Sequence, residues 1–281
     1  MEHGFINNLL WNFSHWFVER KNIDDYYERL SNGESIIIEE FSGKTKHIAT
    51  SGSTTGKHTY VLVNKEQLEL RMAAERWTNS WTGWEMGDPW CHYWYPAISD
   101  NFYRRFRLKI AYNLDNGLFL SYFNLNDKMM ENHYKKLQSF QPKLLIGYSE
   151  AVNMFAEFIL RTKKDPLNIP ASITSGGQLF PEWRTNIEEA FDGKVYNRYG
   201  SSEFGTVAHE DKSGKMKILT NRGISVKNDE ENKLLITDIN NRATIFKDHF
   251  IGDYGKVIGD EITELKGKVK GGRSYLRINQ E

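Results

Sequence analysis

Residues 143–203 read KLLIGYSEAVNMFAEFILRTKKDPLNIPASITSGGQLFPEWRTNIEEAFDGKVYNRYGSSE, and the alternation inside this stretch decides the fold class. Lys143-Leu144-Leu145-Ile146 is a short apolar run that reads as a strand, punctuated by Gly147-Tyr148-Ser149. A helical pattern follows over Glu150–Arg161, and Ala171–Thr174 reads as a second strand that ends in Ser175-Gly176-Gly177. Pro181 opens another helix that runs to about Phe191; the fixed φ of proline and its missing N–H suit a first helical turn. Val195–Arg198 is a third strand and meets Tyr199-Gly200-Ser201-Ser202-Glu203. Strands that alternate with helices and end in small-residue loops are the pattern of a parallel α/β sheet that binds ligands at its strand C-termini.

The pattern extends upstream to about residue 47. His47-Ile48-Ala49 leads into a small-residue loop, TSGSTTGKHT at 50–59, and Asn64 to about Trp84 reads as a helix with an apolar stripe of Leu68, Met72, Trp77, Trp81 and Trp84. Residues 115–123 read as turn then strand, and 127–139 as a polar amphipathic helix. Ahead of the loop, residues 5–30 read as helical, with Phe5, Leu9, Phe13, Trp16 and Phe17 spaced three and four apart on one face. Ile36-Ile37-Ile38 is a β-branched run that predicts a short strand. After 205 short strands dominate: Lys217–Leu219, Lys233–Thr237, Ala243–Phe246, Gly255–Ile258 and Glu261–Leu265. The expected division is a short N-terminal segment at 1–46, an α/β nucleotide- and acid-binding part at 47–204, a β-rich lobe at 205–265, and a basic, glycine-containing hinge or linker at 266–281.

Composition excludes several classes. The 281 residues carry 37 basic and 37 acidic side chains, so no cationic excess points to nucleic acid. No stretch approaches the ~20 apolar residues of a membrane helix, and the N-terminus lacks the basic and apolar regions of a signal peptide. One cysteine, Cys91, forms neither an internal disulfide nor a multi-cysteine zinc site. The expected setting is soluble and cytoplasmic. Five of the eight tryptophans fall between Trp77 and Trp94, a segment that reads as core or as part of a ligand pocket.

Four short motifs carry chemistry. In Thr50-Ser51-Gly52-Ser53-Thr54-Thr55-Gly56-Lys57, backbone N–H groups and hydroxyls can cradle phosphate oxygens while the lysine adds a point charge. It is not a Walker A loop, because only three residues separate Gly52 from Gly56; a flexible polar connector is the plain alternative. Gly176-Gly177 after a strand lets backbone approach a flat ligand, or is a simple tight turn. Tyr199 at a strand end can stack on a base, and Glu203 four residues on can hold Mg²⁺ near phosphates. Asp253 in Gly252-Asp253-Tyr254-Gly255 reads as an exposed aspartate in a tight turn, able to accept both hydroxyls of a ribose.

In this order, and followed by Gly272-Arg273, the motifs resemble those of the adenylate-forming ligases, the superfamily of acyl-CoA synthetases and nonribosomal adenylation domains. The branch most resembled is the phenylacetate–CoA ligase and CapK-like group. FNLNDKMMENHYKKLQSFQPKLLIGYSEAVNMFAEFI (123–159), TSGGQLFPEWRTNIEEAFDGKVYNRYGSSEFGTVAHE (174–210) and LLITDINNRATIF (234–246) resemble successive blocks of that group, and the resemblance covers about 47–275. It implies the large domain of such a ligase: a mostly parallel sheet layered with helices plus a β-rich lobe, with the small C-terminal domain absent from this sequence. It implies that a carboxylic acid is activated with ATP and Mg²⁺ to an acyl-adenylate and passed to CoA or a carrier thiol; the many aromatic residues point to an aryl or other hydrophobic acid, or are simply core. By position, Lys57 and Glu203 are the catalytic residues and Glu203 the Mg²⁺ ligand. Ser53, Thr54, Thr55, Gly56, Gly176, Gly177, Tyr199, Gly200, Ser201, Asp253 and Arg273 bind nucleotide, with Arg273 at the hinge. Tyr148, Ser149 and Trp94 face the acid.

The sequence also departs from the group. An extra threonine sits between Ser53 and Gly56, and His58 stands where a proline is usual. Asp248-His249-Phe250 replaces an Arg-Tyr-containing run. Asp211 and Lys215 stand where relatives carry zinc-binding cysteines, so no structural zinc is expected, and His209 and Glu210 read as surface residues. These departures leave two other readings open: a non-catalytic module that binds a ligand or partner, and an acyltransferase that takes a pre-activated acyl group. Expected partners are a small carboxylic acid and a carrier protein or separate C-terminal-domain-like protein; a homodimer is compatible with the aromatic helix at 5–17.

Overall fold

A computed structural model describes residues 18–49, 60–94 and 110–266. In chain order the elements are α1 (Arg20–Ser31), β1 (Thr45–Ala49), β2 (Tyr60–Asn64), α2 (Lys65–Ser80), β3 (Trp90–Trp94), β4 (Gly117–Ser121), α3 (Asp127–Phe140), β5 (Leu144–Tyr148), α4 (Ser149–Arg161), β6 (Ala171–Ser175), α5 (Pro181–Phe191) and β7 (Lys194–Ser201). Then come β8 (Gly205–Glu210), β9 (Met216–Ile218), a 3-10 turn (Thr220–Arg222), β10 (Ile224–Asn228), β11 (Lys233–Asp238), β12 (Phe246–Ile258) and β13 (Glu261–Lys266). The described residues form two compact units that do not follow sequence order: 82–94 with 110–197, and 18–49 and 60–81 with 198–266. The chain passes from one to the other inside β7. The fold class is α/β, and no described helix is long and apolar enough to cross a membrane.

The first unit is the α/β part. Its strands run in the order β4-β3-β5-β6-β7, and the β3–β4, β3–β5 and β5–β6 pairs are parallel. Leu144, Leu145 and Ile146 are consecutive and all buried, as expected of a parallel strand covered on both faces. Tyr93, Leu145, Phe155 and Phe191 belong to the core on one face; Trp84, Leu144, Ile146 and Ile173 form the cluster on the other. Gly147 is obligatory, because a Cβ there would lie 2.3 Å from Val152 Cγ2. The turn into α3 is capped by Asn126, whose Oδ1 accepts the Met129 N–H at 2.9 Å.

The second unit is β-rich, with the order β10-β11-β12-β13-β9-β8-β7 and antiparallel pairing throughout. Beside this sheet lies a separate ribbon in which β1 and β2 pair antiparallel, Ala49 opposite Tyr60. The start of the alternating region is therefore a hairpin rather than a parallel unit: the ten-residue connection 50–59 is shorter than the dozen or more residues that a parallel crossover needs.

Several local expectations change. Ile36–Ile38 is not a strand. Its N–H groups go to the Asn221 carbonyl and to Asn240 Oδ1 instead of a ladder, while Ile36 and Ile38 are buried and Ile37 is exposed. Ala243–Ile245 is a loop turned by Asn241, whose Oδ1 accepts the N–H groups of Ala243 and Thr244, and the strand starts only at Phe246. Gly252–Gly255 is no tight turn. It lies within the thirteen-residue β12, where a register shift against β11 and φ of +98° at Gly252 mark a bulge. Helix α2 stops at Ser80, short of Trp84. Its stripe residues Leu68, Met72, Trp77 and Trp81 are only half-buried, whereas polar Gln67, Glu69, Arg71, Thr78 and Asn79 are buried with Leu70, Ala73 and Ala74. Of the helix predicted at 5–30, the C-terminal part is α1 (Arg20–Ser31), and the aromatic stretch at 5–17 lies outside the described residues.

Candidate functional site

In the α/β unit the strand order reverses at β3, which has β4 on one side and β5 on the other. Ligands of open α/β sheets bind at the strand C-termini beside such a reversal. Trp94 ends β3, Tyr148 ends β5, and Gly176-Gly177 follows β6. The Trp94 and Tyr148 rings meet edge to face, with centroids 6.3 Å apart, and Tyr122 stacks on Tyr148 at 5.9 Å. Tyr148 lies over the glycines: at Gly176, where φ is +79°, a Cβ would sit 2.8 Å from Tyr148 Cδ2 and 3.6 Å from Trp94 Cη2. The buried Ser149 hydroxyl donates to the Gly177 carbonyl at 3.1 Å and so closes this turn.

Two further residues join the cluster without having been singled out in the sequence. Tyr122 is one; His92 is the other, its Nδ1 2.7 Å from Tyr112 Oη and its ring between Trp90 and Trp94 on one face of β3. The signal was present in Trp90-Cys91-His92-Tyr93-Trp94, a period-two alternation whose other face, Cys91 and Tyr93, is fully buried.

In the β-rich unit the structure joins two of the motifs directly. Tyr199 on β7 donates its hydroxyl to Asp253 Oδ2 on β12 at 3.0 Å. Burial, and then the Asp253 charge, push the Tyr199 phenol well above its ordinary range. Gly200 sits where no side chain fits, since a Cβ would lie 2.3 Å from the Gly205 carbonyl oxygen. Ser201 Oγ is buried and has no hydrogen-bond partner among the described residues. Glu203 is half-buried in the turn between β7 and β8. Arg71 of α2 donates to the carbonyls of Ser202, at 3.1 Å, and Glu203, and Arg222 donates to that of Phe204 at 2.7 Å.

His209 corrects the surface expectation. It is fully buried on β8, its Nδ1 donates to the Glu210 carbonyl at 2.7 Å, and Trp81 meets its ring edge to face at 5.7 Å. Burial, helped by the nearby Arg198 charge, lowers its pKa to about 3. Glu210 is half-buried. Among the described residues no three His, Cys, Asp or Glu side chains gather as a metal-binding group. Mg²⁺ commonly takes only one or two protein carboxylates, with substrate phosphates and waters completing its shell, so a single Glu203 fits that role. Ser53, Thr54, Thr55, Gly56, Lys57 and Arg273 lie outside the described residues.

No protein-family model matches the sequence. A stretch of 110 residues is 30% identical to Protein CapK of Staphylococcus aureus, covering 39% of this chain and 24% of CapK. Among solved structures, an open conformation of 2-hydroxyisobutyryl-CoA ligase in complex with 2-HIB-AMP and CoA matches with a TM-score of 0.60 at 14% identity, covering 76% of this chain and 53% of that one. VinN in complex with L-aspartate matches at 0.57 and 16% identity, over 85% of this chain and 65% of VinN. An ATP-bound RpMatB-BxBclM chimera matches at 0.52 and 14% identity, over 79% and 47%. The chain thus has the fold of the adenylate-forming ligase large domain, and its sequence similarity is to CapK. It spans about a quarter of CapK and about half of the first and third of these structures.

Proposed function

We propose that this chain activates a small carboxylic acid with ATP, forming an acyl-adenylate that a thiol of CoA or of a carrier protein then accepts. The observation that carries the reading is the Tyr199–Asp253 hydrogen bond, which brings the YGSSE strand and the GDYG segment to 3.0 Å within one unit. Asp253 is assigned to the ribose hydroxyls, and Tyr199, whose hydroxyl donates to its carboxylate, to holding Asp253 in place beside the nucleoside. Gly176, Gly177, Gly200 and Ser201 are assigned to nucleotide binding, and Gly200 and Ser201 lie on the strand that leads to the Glu203 turn. Ser53, Thr54, Thr55, Gly56 and Lys57 grip the β- and γ-phosphates, and Arg273 acts at the hinge. Trp94, Tyr148 and Ser149 shape the acid pocket, which suits an aryl or other apolar acid.

In the reaction a carboxylate oxygen bonds to the α-phosphorus, the bond from that phosphorus to the bridging oxygen breaks, and pyrophosphate leaves. Mg²⁺ held by Glu203 supplies charge neutralisation at the phosphates. The chain itself holds two anions in line and presents Lys57 to the developing charge. The test is calorimetric titration with Mg²⁺–ATP and with AMP, followed by carboxylate-dependent pyrophosphate exchange. Micromolar binding of both nucleotides with exchange upholds the reading. Binding of neither removes it, and AMP binding alone turns it toward an acyltransferase.

A further inference from the structure

We propose that Arg71 and Arg222 are positioning residues that hold the Glu203 turn, and with it the carboxylate that would bind Mg²⁺, from behind; this rests on the adenylation reading. Three successive carbonyls, those of Ser202, Glu203 and Phe204, accept from the two guanidiniums. Both arginines are buried, and Arg222 is wholly enclosed. The Phe204 carbonyl is in a buried bond and those of Ser202 and Glu203 in part-buried ones, and a carbonyl left without a donor there is costly, so the arginines restrain the turn.

The glycine after the turn is part of the device. At Gly205, where φ is +70°, a Cβ would lie 3.0 Å from Arg71 Cδ, so a side chain there would be strained and would press on the arginine stem. Arg222 is in turn held 3.8 Å from Asp238, whose Oδ2 accepts from Gln67 of α2 at 2.7 Å. Two cations thus share one close buried carboxylate. Burial, and then the Arg222 charge, lower the Arg71 pKa to about 9. The surplus positive charge faces the oxygen ends of the turn's peptide dipoles, which is where it is best accommodated. Arg71 lies in the second turn of α2, and α2 follows directly from β2, the strand that leaves the 50–59 loop.

The experiment compares wild type with Arg71→Met, which keeps the stem length but has no donors, and with Arg71→Lys, which keeps the charge. Amide hydrogen exchange of 200–206 is read against that of 144–148 and 171–175, and affinity for Mg²⁺–ATP is read against affinity for AMP. Arg71→Met is expected to exchange about tenfold faster at 200–206 alone and to bind Mg²⁺–ATP about tenfold more weakly, with AMP affinity within twofold of wild type. Arg71→Lys should recover part of both losses. If Arg71→Met does not fold, Arg71→Lys gives the same two readings, smaller but of the same sign. Unchanged exchange and unchanged Mg²⁺–ATP affinity in a folded variant would overturn the inference with the adenylation reading intact. Equal weakening of AMP and Mg²⁺–ATP would overturn it as well, since the role would then be general to the fold. Wild type that binds neither nucleotide would instead remove the adenylation reading and this inference with it.

Discussion

Lowering the pH from 7 to 5 should weaken the β-rich unit through one residue, His209. Its imidazole is fully buried and its pKa lies at about 3 in the folded chain, against 6.5 when solvated. A depressed histidine means that the unfolded chain binds the proton more readily, so stability is complete above 6.5 and is lost as the pH falls toward 3. Between pH 7 and 5 the folded side takes up almost no proton. The loss is then set by the unfolded chain alone, RT ln(1 + 10^(6.5−pH)), which is about 0.2 kcal/mol at pH 7 and about 2 kcal/mol at pH 5. The difference, close to ~2 kcal/mol, does not depend on how far below 4 the folded value lies. His133, in the α/β unit, adds a loss of the same sign, since burial and then Lys136 lower it to about 4. His209→Asn isolates the first contribution, because Asn keeps a donor for the Glu210 carbonyl and cannot titrate. Urea unfolding of wild type and variant at both pH values is the assay. The variant should be less stable at pH 7, from the smaller side chain, but should lose ~2 kcal/mol less than wild type on going to pH 5. Equal losses in the two proteins would refute the burial of a neutral His209.

Three further outcomes are expected. On the proposed reading Asp253→Ala should weaken AMP binding by about 1–3 kcal/mol and exceed the effect of Tyr199→Phe, because it removes the acceptor assigned to the ribose hydroxyls whereas Tyr199→Phe removes only a hydrogen bond that holds that acceptor; calorimetric AMP titration of both variants measures this, and the reverse order would count against the assignment. Glu203→Gln should depress Mg²⁺-dependent pyrophosphate exchange by at least about tenfold with an unchanged unfolding midpoint, since the group removed acts on substrate charge and not on the fold; equal exchange rates would remove Glu203 from the metal. Gly176→Ala should cost about 1–3 kcal/mol in urea unfolding, because its Cβ would press on the Tyr148 ring at a backbone conformation that suits glycine; an unchanged midpoint would mean that the turn has room.

The parallel part of the fold was legible because its signals are local. Three strands of 143–201, their glycine punctuation and the proline-started helix are read from runs of a few residues, and the structure keeps them as β5, β6, β7 and α5. The Gly176-Gly177 turn after its strand was legible, but the close approach of Tyr148 to it was not, because that partner lies 28 residues from Gly176. Ile36–Ile38 shows the opposite case. Its β-branched side chains favour an extended backbone, but whether such a segment becomes a strand depends on a neighbouring edge, and here Asn240 supplies the partner of Ile38 instead.

By itself, then, the sequence determined the alternation of strand and helix, the order of the motifs and the balance of charge, since each follows from residue type and short-range spacing. Tertiary structure decided the rest. It buried His209 by covering both faces of β8, made a bulge of the GDYG segment, and set Tyr199 against Asp253 across 54 residues. It also turned the polar row of α2 inward, against the preference of an isolated amphipathic helix. That inversion holds because Arg71, Gln67 and Glu69 find partners there: the carbonyls of the Glu203 turn, Asp238, and the backbone of Glu19 with the amide of Asn22. Burial of a polar side chain is governed by whether a partner waits inside, and hydrophobic periodicity carries no record of a partner that the fold brings from far along the chain.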